Sequence, residues 1–120
     1  MSDRGAHLLQ AVSNAEISTS LESLGANDWA VTTLFYSAVH WIDAYLDVGG
    51  QIRHPKDHGE RYREIRGNGF LRGLYPAYRE LDDRSRDARY ECAAFSSANV
   101  LHLRGLLVRI ESAVRVQLHI

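Results

Sequence analysis

Residues 28–46 read Asp28-Trp29-Ala30-Val31-Thr32-Thr33-Leu34-Phe35-Tyr36-Ser37-Ala38-Val39-His40-Trp41-Ile42-Asp43-Ala44-Tyr45-Leu46. Trp29, Val31, Leu34, Phe35, Ala38, Val39, Trp41, Ile42, Tyr45 and Leu46 recur with a helical rather than a strand period. They cover more than one face, and a helix that is apolar on several sides needs neighbours around it. The stretch therefore predicts a helix at the centre of a bundle, capped by Asn27 or Asp28 and running to about Val48, where Gly49-Gly50 ends it.

The flanks supply the neighbours. Upstream, Leu8, Leu9, Val12, Ala15, Ile17, Leu21 and Leu24 predict an amphipathic helix over residues 6–24, closed by Gly25. Downstream, Gln51 to Lys56 form a loop, because Pro55 does not fit a helix interior. Asp57 followed by Glu60 resembles a capping box and starts a short third helix that Gly67-Asn68-Gly69 stops. Phe70, Leu71, Leu74, Tyr75, Tyr78 and Leu81 mark a fourth element that Pro76 kinks or restarts, while residues 82–89 are too charged to assign. A last helix begins at Ser96 or Ser97 and carries Val100, Leu103, Leu106, Leu107, Ile110, Ala113, Val114 and Leu118. No segment alternates with period two between turn signals. The expected fold is all-α, an antiparallel up-and-down bundle of four to five helices forming one domain over residues 1–120.

Composition narrows the function. The 120 residues have a formal net charge of -1, too small to force nucleic-acid binding, but the charge is unevenly spread. Arg4 is the only Lys or Arg in residues 1–52, whereas residues 53–89 carry Arg53, Lys56, Arg61, Arg63, Arg66, Arg72, Arg79, Arg84, Arg86 and Arg89 among seven carboxylates. These arginines suit phosphate, or equally a solvated network of ion pairs. No apolar run is long enough to span a bilayer, and Met1-Ser2-Asp3-Arg4 lacks the layout of a signal peptide, so the expectation is a cytoplasmic protein without membrane contact. The single cysteine, Cys92, cannot form an internal disulfide and is expected as a buried thiol, with nucleophilic use as the alternative.

The chemistry that stands out lies in Arg53-His54-Pro55-Lys56-Asp57-His58. His58 titrates near neutral pH and a guanidinium offsets charge on a phosphate, so Arg53 and His58 together suit metal-independent RNA cleavage by attack of a 2′-hydroxyl. The other reading is structural: His58 bonds at the helix start and Arg53 pairs with an acidic residue of the second helix. His54 and His58 stand four apart, but Pro55 keeps them from sharing one regular turn, and no metal is expected. His40 reads as a hydrogen-bonded core histidine. Six tyrosines with Trp29 and Trp41 could stack bases, though most follow the core pattern. Gly67-Asn68-Gly69 lacks the lysine and hydroxyl of a phosphate loop, there is no nucleophile elbow, and no cofactor is expected.

In order along the chain, the aromatic stretch 28–46, then His54-Pro55-Lys56-Asp57-His58-Gly59-Glu60-Arg61, Tyr78-Arg79-Glu80-Leu81 and Ser85-Arg86-Asp87-Ala88-Arg89-Tyr90 resemble a HEPN domain over about residues 8–116. The resemblance implies a bundle of four or five helices that forms a homodimer. It implies one of two activities: an RNase of toxin–antitoxin, abortive-infection or CRISPR systems with an Arg-x4-6-His motif from each protomer, or a binding and assembly module without catalysis. Arg53 and His58 match the motif as its catalytic pair, with His54, Arg61 and Arg89 to position RNA. The expected reading is a dimeric, nucleic-acid-associated or protein-interaction module, with the endoribonuclease as the alternative. RNA or a nucleotide, an antitoxin or a nucleotidyltransferase are the implied partners.

Overall fold

The computed structural model describes residues 3–47, 55 and 57–120. Among the described residues five α-helices make a bundle: α1 (Arg4–Ser23), α2 (Asn27–Leu46), α3 (His58–Gly67), α4 (Tyr75–Tyr90) and α5 (Ser97–Leu118), with a 3-10 turn at Leu71–Leu74 before α4. The described residues contain no strand.

Helix α2 occupies the centre, as its apolar faces require. It packs against α1, α4 and α5, and Ala30, Val31, Leu34, Phe35, Ala38, Trp41, Ile42 and Leu46 are fully or almost fully buried. Each large side chain removed from water here contributes about 1.5–3 kcal/mol, which is why the pattern decides the fold. Trp41 is roofed by the Arg115 guanidinium, 4.9 Å above its ring.

The helix ends follow local chemistry. Asp3 caps α1 by accepting from the Ala6 amide at 2.7 Å. Gly25, at φ +81, ends it while the Ala26 amide reaches back to the Leu21 carbonyl, a Schellman closure that favours glycine. Against expectation, neither Asn27 nor Asp28 caps α2: Asn27 is already helical, and its amide instead donates to the Phe95 carbonyl at 2.8 Å, tying α2 to the α4–α5 turn. Asp57 caps α3 through the Glu60 amide, and Ser96 with Asn99 forms a reciprocal box at α5. Pro76 lies in the first turn of α4, where its missing amide hydrogen costs nothing.

Residues 82–89, which the sequence does not assign, gain a structure, and one expectation changes. Residues 82–89 are helical, a continuation of α4 supported by the Arg79–Asp83, Asp82–Arg86 and Arg84–Asp87 pairs along its own face. Cys92 is exposed rather than buried, because α4 ends at Tyr90 and the chain turns through Cys92 at φ 53 on the surface.

Helices α1 and α2 are antiparallel: His7 meets His40, Ala11 meets Ser37 and Ser18 meets Ala30, pairs whose numbers sum to nearly the same value. Small side chains at these crossings allow the Ser18 and Ser37 hydroxyls to donate across to backbone carbonyls at 2.9 and 2.7 Å. Helix α5 runs parallel to α2, with Phe95 beside Asn27 at one end and Arg115 over Trp41 at the other. No helix among the described residues is long and apolar enough to cross a membrane.

Candidate functional site

A polar seam lies between α2 and α4, and α3 closes one end of it. Asp43 sits on α2 amid the core, and its two carboxylate oxygens accept from Nε and Nη2 of Arg61 on α3 at 2.8 and 2.9 Å. Both residues are buried. Burial works against the guanidinium charge, but the Asp43 carboxylate overrides it, so Arg61 holds its proton more tightly than usual. The fork-to-fork geometry fixes α3 on α2.

The same guanidinium sets the state of His58. Arg61 Nη1 lies 3.2 Å from His58 Nδ1, and a guanidinium can only donate, so Nδ1 accepts and the proton of the neutral ring stands on Nε2. Phe35 packs against this ring at 5.6 Å between centroids. Burial, and then the Arg61 charge, lower the His58 pKa below its usual value; Arg86 and Arg89 add to this, and Asp82 opposes it. His58 is thus held neutral, as a donor at Nε2.

Helix α4 supplies the facing row. The Tyr62 hydroxyl on α3 donates to Asp82 at 2.5 Å, and Arg86 donates to the other oxygen of the same carboxylate at 3.1 Å. Burial raises the Tyr62 and Tyr78 hydroxyls far above the ordinary tyrosine range, so both remain neutral. Tyr78 packs edge-on against Phe35 and Tyr62.

At the far end of the seam the pairing pattern stops. Arg79, Arg84 and Arg86 on α4 each meet a carboxylate, but Arg89 meets none among the described residues. Its guanidinium donates to the Tyr36 hydroxyl at 3.0 Å and to the Ser85 carbonyl at 3.3 Å, and lies over the Tyr36 and Tyr90 rings at 5.6 and 5.0 Å. Beside it, Asp28, Trp29, Thr32 and Ala88 complete a cleft of about 240 Å³. Trp29 is 58% exposed there, and Tyr90 is exposed on the surface.

Of the residues singled out in the sequence, Arg53 and His54 lie outside the described residues. The structure brings His58 and Arg61 into contact at the start of α3 and places Arg89 at the end of α4, where it reaches His58 through its charge. Asp43 was missed, although a carboxylate between Ile42 and Ala44 on an otherwise apolar helix is a signal for a buried cation. Trp29 fits the helical period of the core, yet in the first turn of α2 it is 58% exposed while Ala30 and Val31 beside it are fully buried. His40 pairs with His7, Nδ1 to Nδ1 at 3.0 Å, so it is hydrogen-bonded as expected, but it is half-buried rather than within the core. Among the described residues no three His, Cys, Asp or Glu side chains gather to hold a metal.

Fold and seam together define an all-α bundle with a matched ionic anchor at one end and an unmatched arginine with exposed aromatics at the other. Comparison with protein-family models, with curated proteins and with solved structures gave no match to this chain.

Proposed function

We propose that the chain is a HEPN-like module that associates with single-stranded nucleic acid along the α2–α4 seam, as a dimer and without catalysis. What supports the kinship is the order of its parts: an aromatic central helix, a histidine at the start of α3 and Ala88-Arg89-Tyr90 at the end of α4. The observation that carries the nucleic-acid reading is Arg89, a guanidinium lying over two tyrosine rings and paired with no carboxylate among the described residues. Phosphate is the partner such a fork suits, and the rings nearby suit bases.

The state of His58 favours binding over proton transfer. A general base must offer a free lone pair, but Nδ1 already accepts from Arg61 and Nε2 carries hydrogen. A general acid must be protonated, which burial and then the same guanidinium oppose. As a neutral donor, His58 serves a phosphate oxygen.

The test is binding of labelled mixed-sequence single-stranded RNA in EDTA, followed by fluorescence anisotropy over a range of salt. Affinity should fall with salt, and Arg89→Ala should weaken binding and flatten the slope of log K against log salt by roughly 0.7. RNA left unbound at micromolar protein sinks the reading. Appearance of 2′,3′-cyclic phosphate ends that disappear in His58→Ala and Arg53→Ala would replace it with the endoribonuclease. Light scattering should give the mass of two chains.

A further inference from the structure

We propose that the cleft lined by Asp28, Trp29, Thr32, Ala88 and Arg89 is a subsite for one unpaired guanine nucleotide of a single strand. The proposal rests on the nucleic-acid reading above and names the base that its end cleft selects.

Three groups converge there with different chemistry. Trp29 keeps more than half of its surface in solvent although its position continues the apolar pattern of α2, so a broad π-face stands free at the cleft wall. Stacking of an unpaired base is what such a face offers. Arg89 on the other wall is already oriented by the Tyr36 hydroxyl and the Ser85 carbonyl, and has no carboxylate among the described residues. A phosphate oxygen is its natural complement, and little side-chain entropy remains to be lost.

Asp28 decides the base. Asp28 is exposed and lines the cleft, and its carboxylate, which makes no hydrogen bond among the described residues, repels phosphate and can only accept. Guanine alone of the four bases presents two adjacent donors, N1–H and N2–H, on its Watson–Crick edge, and a carboxylate takes both at once. Adenine and cytosine offer an amino donor next to a ring acceptor, and uracil a single donor between two carbonyls; each sets at least one lone pair against Asp28. The Thr32 hydroxyl donates to the Asp28 backbone carbonyl at 3.0 Å, so it adds no competing donor at the carboxylate.

The cleft has room for more than the base. Across Asp28 it adjoins a second hollow of about 320 Å³ formed by Gly25, Asn27, Cys92, Ala93, Ala94 and Phe95, into which the strand continues. A single strand therefore has a path from the α2–α4 seam past Asp28 to the α4–α5 turn.

The experiment titrates the full chain with the RNA pentamers UUGUU and UUAUU while following tryptophan fluorescence. UUGUU should bind at least about fivefold more tightly and quench the emission, as expected for a bidentate base contact. Asp28→Asn, which replaces one acceptor by a donor at an exposed position and removes the charge that repels phosphate, should erase the preference, with the affinities of the two pentamers converging to within about twofold of each other. Trp29→Ala should weaken both pentamers by about fivefold or more, and Trp29→Phe should remove the quench. Equal affinity for the two pentamers, a preference that survives Asp28→Asn, or a quench that persists without Trp29 overturns the proposal. If mixed RNA is still bound in any of those cases, the association stands and only the guanine subsite falls; if no RNA binds, both fall and the cleft is left to a protein ligand.

Discussion

The two ends of the α2–α4 seam use the same residue types to opposite effect. Near α3, Arg61 and Asp43 are buried and matched oxygen for nitrogen, and Tyr62 and Arg86 share the two oxygens of Asp82. Near the start of α2, Arg89, Asp28 and Trp29 stand around an open cleft without such matching. A buried charge must find its counter-charge within the chain or the fold suffers, whereas one facing solvent is free to wait for a ligand. Burial, more than residue type, separates anchor from binding site.

The comparison breaks first at Asp43. Asp43→Ala leaves Arg61 buried without its counter-ion and should cost about 3–5 kcal/mol, a large part of a small domain's stability. Urea denaturation should show a lower midpoint at unchanged slope. The double variant Asp43→Leu with Arg61→Met should recover most of that loss, since an apolar pair of similar volume avoids the desolvation of both ions. A single variant that costs less than about 1 kcal/mol would mean that water reaches the pair and that the anchor is no anchor.

The far end should respond in the opposite manner. Arg89→Ala removes contacts to two tyrosine rings at a partly solvated position, so the loss of stability should be about 1 kcal/mol or less, while RNA affinity falls. Denaturation and anisotropy on the same sample separate these effects. A loss of stability as large as that of Asp43→Ala, with affinity retained, would make Arg89 a second anchor and erase the contrast.

Much of the fold was legible from the sequence because the signal is repetitive. The α2 pattern, the Gly25 stop, the Asp57 cap and the Ser96 cap each rest on local chemistry that tertiary structure did not override. The charged residues 82–89 resisted because their helix is supported by pairs along its own surface and by Asp82 buried beneath, neither of which an apolar period reports. Asn27 misled for a related reason: its side chain finds a carbonyl 68 residues away, a competitor invisible to local rules. At the site, His58, Arg61 and Arg89 could be picked out as residue types, but which one is anchored and which is free follows only from the placement of Asp43 on α2. Trp29 and Trp41 have the same spacing logic, and one is 58% exposed while the other is buried, because only Trp41 has α5 above it.

His58 joins the two ends, and its titration gives the smallest and most selective test. In the folded chain its pKa is lowered, by burial first and by Arg61 next, so the unfolded chain binds a proton more readily than the folded one. Stability from this group is therefore fully present above about pH 6.5, the unfolded value, and is lost as pH falls through that value toward the folded pKa, below which the loss levels off. The charges facing the ring, Arg61 on α3 with Arg86 and Arg89 on α4 against Asp82, set the same sign. His58→Gln keeps an oxygen that can accept from Arg61 but cannot gain a proton. Denaturation midpoints measured between pH 7.5 and 5 should fall less steeply for this variant than for the parent chain, the other histidines being common to both. Parallel pH profiles would mean that His58 is not held by Arg61, and the argument that it binds as a neutral donor would lose its footing.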